Sequence, residues 1–122
     1  MEDFVNYEIA NKLKNLGFEE STYHYYNIDD IRYCRDDYPS DHNGDPLREF
    51  EISAPTISQV LKWLREEKRL HIAIDIWGRT WGYDIIELIS GNSLYWTAYR
   101  EDIKSYEDAA LDGIEYIIDN LI

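Results

Sequence analysis

Apolar positions recur at helical spacing in three stretches of the chain and alternate strictly in a fourth. Val5, Ile9, Leu13 and Leu16 stand three or four apart between about Asp3 and Leu16, with Glu8, Lys12 and Lys14 falling elsewhere. That period predicts an amphipathic helix. Gly17 supplies a left-handed terminator, and Phe18 can fold back onto Leu13 as a Schellman motif requires. Thr56 and Gln59 have capping-box spacing ahead of an Ile57, Val60, Leu61, Leu64 stripe. Lys62, Arg65, Lys68 and Arg69 crowd the later turns of that helix, where positive charge complements the dipole. Ser105 and Asp108 repeat the capping pair before a broad apolar face formed by Tyr106, Ala110, Gly113, Ile114, Ile117, Ile118 and Leu121.

Between the second and third helices the period changes to two. His71 to Trp77, Trp81 to Ile89 and Leu94 to Arg100 read as three antiparallel strands. They are separated by Gly78-Arg79-Thr80 and Ser90-Gly91-Asn92-Ser93, lengths that hairpins use. The region from Ser21 to Ile52 is less regular. Ser21 to Tyr26 is rich in β-formers, and Ile31 to Cys34 continues or pairs with it after a turn at Asn27 to Asp30. Asp36 to Pro46 reads as a loop, and Arg48 to Ile52 as a short half-buried strand. The order predicts an α+β fold, an antiparallel sheet containing a three-stranded meander with helices packed on one face. At 122 residues, the chain (1–122) is the size of a single domain.

Alternation sorts the meander into two faces. Ile72, Ile74 and Ile76 point one way, toward the helices; His71, Ala73, Asp75 and Trp77 point the other. If Ile86 and Leu88 join the aliphatic face, Tyr83, Ile85 and Glu87 go opposite. The third strand is ambiguous on this criterion. The far face then carries Trp77, Tyr83, Ile85, Tyr95 and Tyr99, a candidate interaction surface, because aromatic side chains with a polar handle are enriched where proteins meet. The competing expectation is that the Ser21–Ile52 region covers that face.

Composition narrows the function classes. The formal charge is −13, from 25 acidic against 12 basic residues. Such a surface repels nucleic-acid phosphates and anionic membranes, which argues against direct nucleic-acid or membrane binding and leaves solubility or a basic protein partner. With 44% hydrophobic residues the chain has enough apolar surface to fold despite its charge. Cys34 is the only cysteine, so no intrachain disulfide forms. Met1-Glu2-Asp3-Phe4 lacks the basic and apolar regions of a signal peptide, and no apolar run approaches the ~20 residues that span a bilayer. A cytoplasmic location is the expectation.

Candidate chemistry is sparse. Placing Gly44 at the sixth position of an EF-hand puts Pro39 at the first and Phe50 at the twelfth, where oxygen ligands are required. His24, His42 and His71 lack metal-ligand spacing. Gly78 to Gly82 lacks the lysine and following helix of a phosphate loop. Cys34 with a distant histidine, or Asp75 with Glu87 as an acid–base pair, could in principle support a small enzyme. Neither has a local signature, so no catalytic, metal or cofactor-binding residue is assigned.

The segment Ala54-Pro55-Thr56-Ile57-Ser58-Gln59-Val60-Leu61-Lys62-Trp63-Leu64-Arg65-Glu66-Glu67-Lys68 runs into Leu70-His71-Ile72. Together with Ser105-Tyr106-Glu107-Asp108-Ala109-Ala110, it resembles a group of small uncharacterised bacterial proteins, often encoded on phage-like or other mobile elements. The resemblance covers roughly the last 70 residues and rests on a helix cap and a core stripe, so it implies a fold and carries no functional residue. The leading expectation is a non-enzymatic interaction or accessory protein using the aromatic sheet face, with a protein partner or as a homodimer. An acidic decoy that occupies a basic nucleic-acid site on a partner is the second, and a small enzyme using the acid pair or Cys34 the third.

Overall fold

Asn6, rather than Asp3, opens the first helix. In the computed structural model, which describes residues 3–122 apart from the side chains of Ala98 and Tyr99, helix α1 spans Tyr7–Asn15. The Asn6 side chain accepts the Ile9 N–H at 2.9 Å, satisfying one of the orphan amides of the first turn. The residues before it are held extended, with Phe4 bridged to Thr56 and the Val5 N–H donating to Pro55 O at 3.1 Å. That engagement moves the first helical residue to Tyr7, four beyond the Asp3 that the periodicity suggests. The helix ends as expected: Gly17 has φ +90°, Phe18 N–H reaches Leu13 O and Gly17 N–H reaches Lys14 O.

The chain divides into two compact units, Met1–Thr56 and Ile57–Ile122, each with its own three-stranded antiparallel sheet. In the first unit, β1 (Thr22–Asn27) lies between β2 (Tyr33–Ser40) and β3 (Glu51–Ser53). The Ser21–Ile52 strands therefore pair with one another and build a separate sheet. β2 also runs five residues into the stretch expected to be loop. Its edge position makes Pro39 tolerable, since an edge strand has one row of amides that need no partner. A tight helical turn, Pro46–Arg48, precedes β3. Val5, Ile9, Leu13, Phe18 and Ile52 are buried here.

The second unit consists of α2 (Ile57–Glu67), β4 (Leu70–Trp77), β5 (Thr80–Glu87), β6 (Ser93–Arg100) and α3 (Tyr106–Asn120), with the strands in meander order. α2 begins directly after Thr56, where the cap predicts. Ser105 caps α3 by accepting the Asp108 N–H at 3.0 Å, and Asp108 reaches back to accept from Lys104 N–H rather than from the cap residue itself. α3 packs on β4 and β5, and α2 on β4 and α3. Gly113 permits the closest approach: a Cβ there would meet Ile72 Cγ2 at 3.0 Å and Tyr83 Cδ2 at 3.4 Å. The fold is α+β.

The sheet register corrects the expected faces. Trp77 pairs with Thr80, so the first hairpin turns on two residues, Gly78-Arg79, and not on three. Gly78, at the first central position, has φ +62°, the sense that a type II′ turn requires. Each residue removed from a loop reverses the parity of the pairing. Ile72 consequently faces Ile85, and Ile74 faces Tyr83. Directly paired residues share a face, so Tyr83 and Ile85 belong with the isoleucines against α3, and Ile86 goes to the other side. Leu88, expected on the aliphatic face, lies beyond the end of β5 in the following turn. The Ile72, Ile74, Ile76 side does face the helix. Burial fades along it, from 5% exposure at Ile72 to 47% at Ile76.

Candidate interaction surface on the second sheet

Of the five residues singled out from the sequence, only Trp77 stands on the outer face in the described structure. It sits at the end of β4 and is 73% exposed. Tyr83 is buried and donates its hydroxyl hydrogen to Asp112 Oδ2 at 2.6 Å; Arg100 Nη2 donates to Asp112 Oδ1 at 2.9 Å. Burial, and then the Asp112 hydrogen bond and charge, push the Tyr83 phenol far above its ordinary value. Ile85 is fully buried. Tyr95 stacks on Tyr116 of α3 with ring centroids 3.6 Å apart. The Tyr99 side chain lies outside the described residues.

Reversed parity brings a different residue forward. Trp96 pairs with Asp84, opposite in sense to its neighbours Tyr95 and Thr97, and is 66% exposed. A hollow of about 590 Å³ lies beside it. Ala73 and Gly82 contribute little or no side chain, Trp96 forms one boundary, and Asp75 and Asp84 bring carboxylates. Asp75 pairs with Gly82, and Asp84 with Ala73. The two acids are therefore diagonal neighbours on adjacent strands, with Cα atoms about 7 Å apart in such a geometry. The Ser93 hydroxyl donates to Asp84 Oδ1, which orients that carboxylate. What this surface can do chemically is contact: two indoles, a hollow floored among the described side chains by Ala73 and Gly82, and negative charge.

The catalytic pairs considered from the sequence come apart. Glu87 pairs with Leu70 on the helix-facing side, whereas Asp75 projects from the outer face, so the two cannot flank one substrate. The Cys34 thiol donates to Arg32 O at 3.6 Å. His42, the buried histidine of that unit, has both ring nitrogens engaged, by Glu51 Oε1 and Thr22 O. His24 instead stacks on Tyr33, and burial followed by the nearby Arg35 charge lowers its pKa.

The acidic loop spends its carboxylates locally. Asp41 Oδ1 accepts from the Asn43 and Gly44 amides, Asp45 Oδ1 accepts from Leu47 N–H, and Arg48 lies 3.1 Å from Asp36. Among the described residues, no three His, Cys, Asp or Glu side chains converge as a metal-binding set.

No family model matches the chain, and no curated protein or solved structure matches it either. Among the described residues no helix is long and apolar enough to cross a membrane.

Proposed function

We propose that this chain is a non-enzymatic interaction protein whose contact surface is the outer face of the β4–β5–β6 sheet. One observation carries the proposal: Trp77 and Trp96 stand about three-quarters and two-thirds exposed on a sheet face that also holds a substantial hollow. Exposed indoles on a rigid sheet lose little side-chain entropy on contact, and tryptophan is among the residues that dominate binding energy. The same side carries Asp75 and Asp84, so two copies meeting face to face would oppose carboxylate with carboxylate. A different, basic protein is the better partner than a second copy, in keeping with the net charge of −13. The resemblance of residues 54–72 and 105–110 to small mobile-element proteins is part of the same proposal and fits an accessory role in the cytoplasm.

A photoreactive phenylalanine analogue placed at position 96, and in a second protein at position 116 on α3, tests the surface. Adducts with another protein that form from position 96 and not from 116 support it. Adducts from 116 alone overturn it. Light scattering at high concentration adds the oligomeric arm: the partner reading expects a monomer, and a dimer abolished by Trp96→Asp favours self-association instead.

A further inference from the structure

We infer that the hollow beside Trp96 seats an arginine side chain presented by the partner protein; this rests on the interaction surface proposed above and specifies what occupies it. Three features of the hollow select for a flat cation. Among the described side chains its floor is Ala73 and Gly82, so a planar group can lie close to the sheet there. Its wall is the indole of Trp96, and an arginine guanidinium stacks on an aromatic face while keeping its in-plane N–H donors available. Its charge comes from Asp75 and Asp84, set diagonally on β4 and β5, where one fork of donors can address a carboxylate from within the stacking plane.

The outward positions of β4 between 71 and 77, and of β5 between 80 and 86, include no lysine or arginine. The Ser93 hydroxyl holds Asp84 from the β6 side, so the carboxylate is oriented before a ligand arrives and less ordering is required on binding. Lysine would satisfy the carboxylates as a point charge but makes poorer use of a flat indole wall. The volume, about 590 Å³, exceeds a guanidinium and leaves space for the aliphatic stem and the flanking backbone.

The test uses the full chain and two peptides, acetyl-Gly-Ser-Arg-Ser-Gly-amide and the same sequence with citrulline, which keeps the planar shape and loses the charge. Titrations are followed in nitrogen–proton correlation spectra. With the arginine peptide, the Trp96 indole N–H and the Gly82 amide should shift and saturate, while the Trp63 indole stays still. The citrulline peptide should bind roughly tenfold more weakly or not at all. Asp84→Asn and Trp96→Leu should each weaken arginine binding roughly fivefold or more, and Trp96→Phe, which keeps an aromatic face, should retain most of it. Unchanged Leu70 and Ile114 amide positions in each variant establish that the sheet and the helix packed on it are intact.

Equal shifts from both peptides, or shifts that bypass Trp96 and Gly82, overturn the arginine assignment. If position-96 adducts with a partner persist while the arginine peptide leaves the hollow untouched, the arginine assignment fails and the interaction surface stands. If both fail, both are wrong.

Discussion

His42 Nδ1 lies 2.6 Å from Glu51 Oε1, and the histidine ring has no solvent exposure. The Nε2 atom faces Thr22 O at 3.0 Å, and a carbonyl can only accept, so Nε2 carries a hydrogen. The Nδ1–Oε1 contact therefore needs one further proton, whichever partner holds it. Arg48 Nη1 also donates to Glu51 Oε1 at 3.0 Å, which ties the loop before β3 to the sheet. Replacing His42 with leucine removes a donor from a buried carbonyl and a partner from Glu51. The expected loss is about 2–4 kcal/mol of stability; Glu51→Gln should lose less, about 1–2 kcal/mol, because one amide group at the place of Oε1 keeps the contact with Arg48 or with His42 but not both. Urea denaturation of the two variants decides the order.

The sheet register predicts a contrast between adjacent residues. Ile85 is fully buried against α3, and Ile86 points to the other face. Ile85→Ala should cost about 3–4 kcal/mol and Ile86→Ala about 1 kcal/mol. Trp96→Ala, at an exposed position, should change stability by no more than about 0.5–1 kcal/mol. Thermal or chemical unfolding gives all three values, and a reversed order for the isoleucines would restore the three-residue hairpin.

Gly113 sets a size limit on α3. An added methyl meets Ile72 at 3.0–3.1 Å, a squeeze of a few tenths of an ångström. Alanine also gains about 1 kcal/mol of helix propensity, so Gly113→Ala should fall within about 1 kcal/mol of the parent. Gly113→Val has a smaller offset and adds branches at the contact, and should lose about 2–3 kcal/mol. Comparing melting temperatures across the pair separates close packing from backbone freedom.

Alkaline pH should unfold the protein through its tyrosines. Partial desolvation, reinforced by the neighbouring Tyr26, pushes the half-exposed Tyr33 phenol up to about 12, and burial raises Tyr25, Tyr26 and Tyr83. The folded state therefore keeps protons that the unfolded chain releases near its ordinary value of 10. The resulting stabilisation is complete below pH 10 and disappears as pH rises from 10 toward 12. Melting temperatures should drop across that window, with ultraviolet tyrosinate absorbance rising alongside. Tyr33→Phe should flatten the slope.

Helices were the most legible elements because their signals are local. Ser105 with Asp108, and Leu13 with Gly17 and Phe18, each settle a helix end within six residues. The faces of the meander depend instead on one residue of loop length. Thr80 is as acceptable to sequence reasoning in the turn as in the strand, and that choice moves Tyr83 and Ile85 inward and puts Trp96 outside. The Trp96 position was present in the sequence as one arm of an ambiguous alternation; the neighbouring stack of Tyr95 on Tyr116 resolves it. The first unit hid more. β2 continues through Asp36, Asp37 and Pro39 because an edge strand tolerates what a central strand would not.

The four tryptophans are divided by the same parity. Trp63 is buried and Trp81 half-buried against Tyr106, whereas Trp77 and Trp96 meet water. Intrinsic emission should therefore have two components, a blue one that senses unfolding and a red one that a soluble quencher reaches first. Protection of the red component alone would reveal occupancy of the outer face in a cuvette, with no label attached.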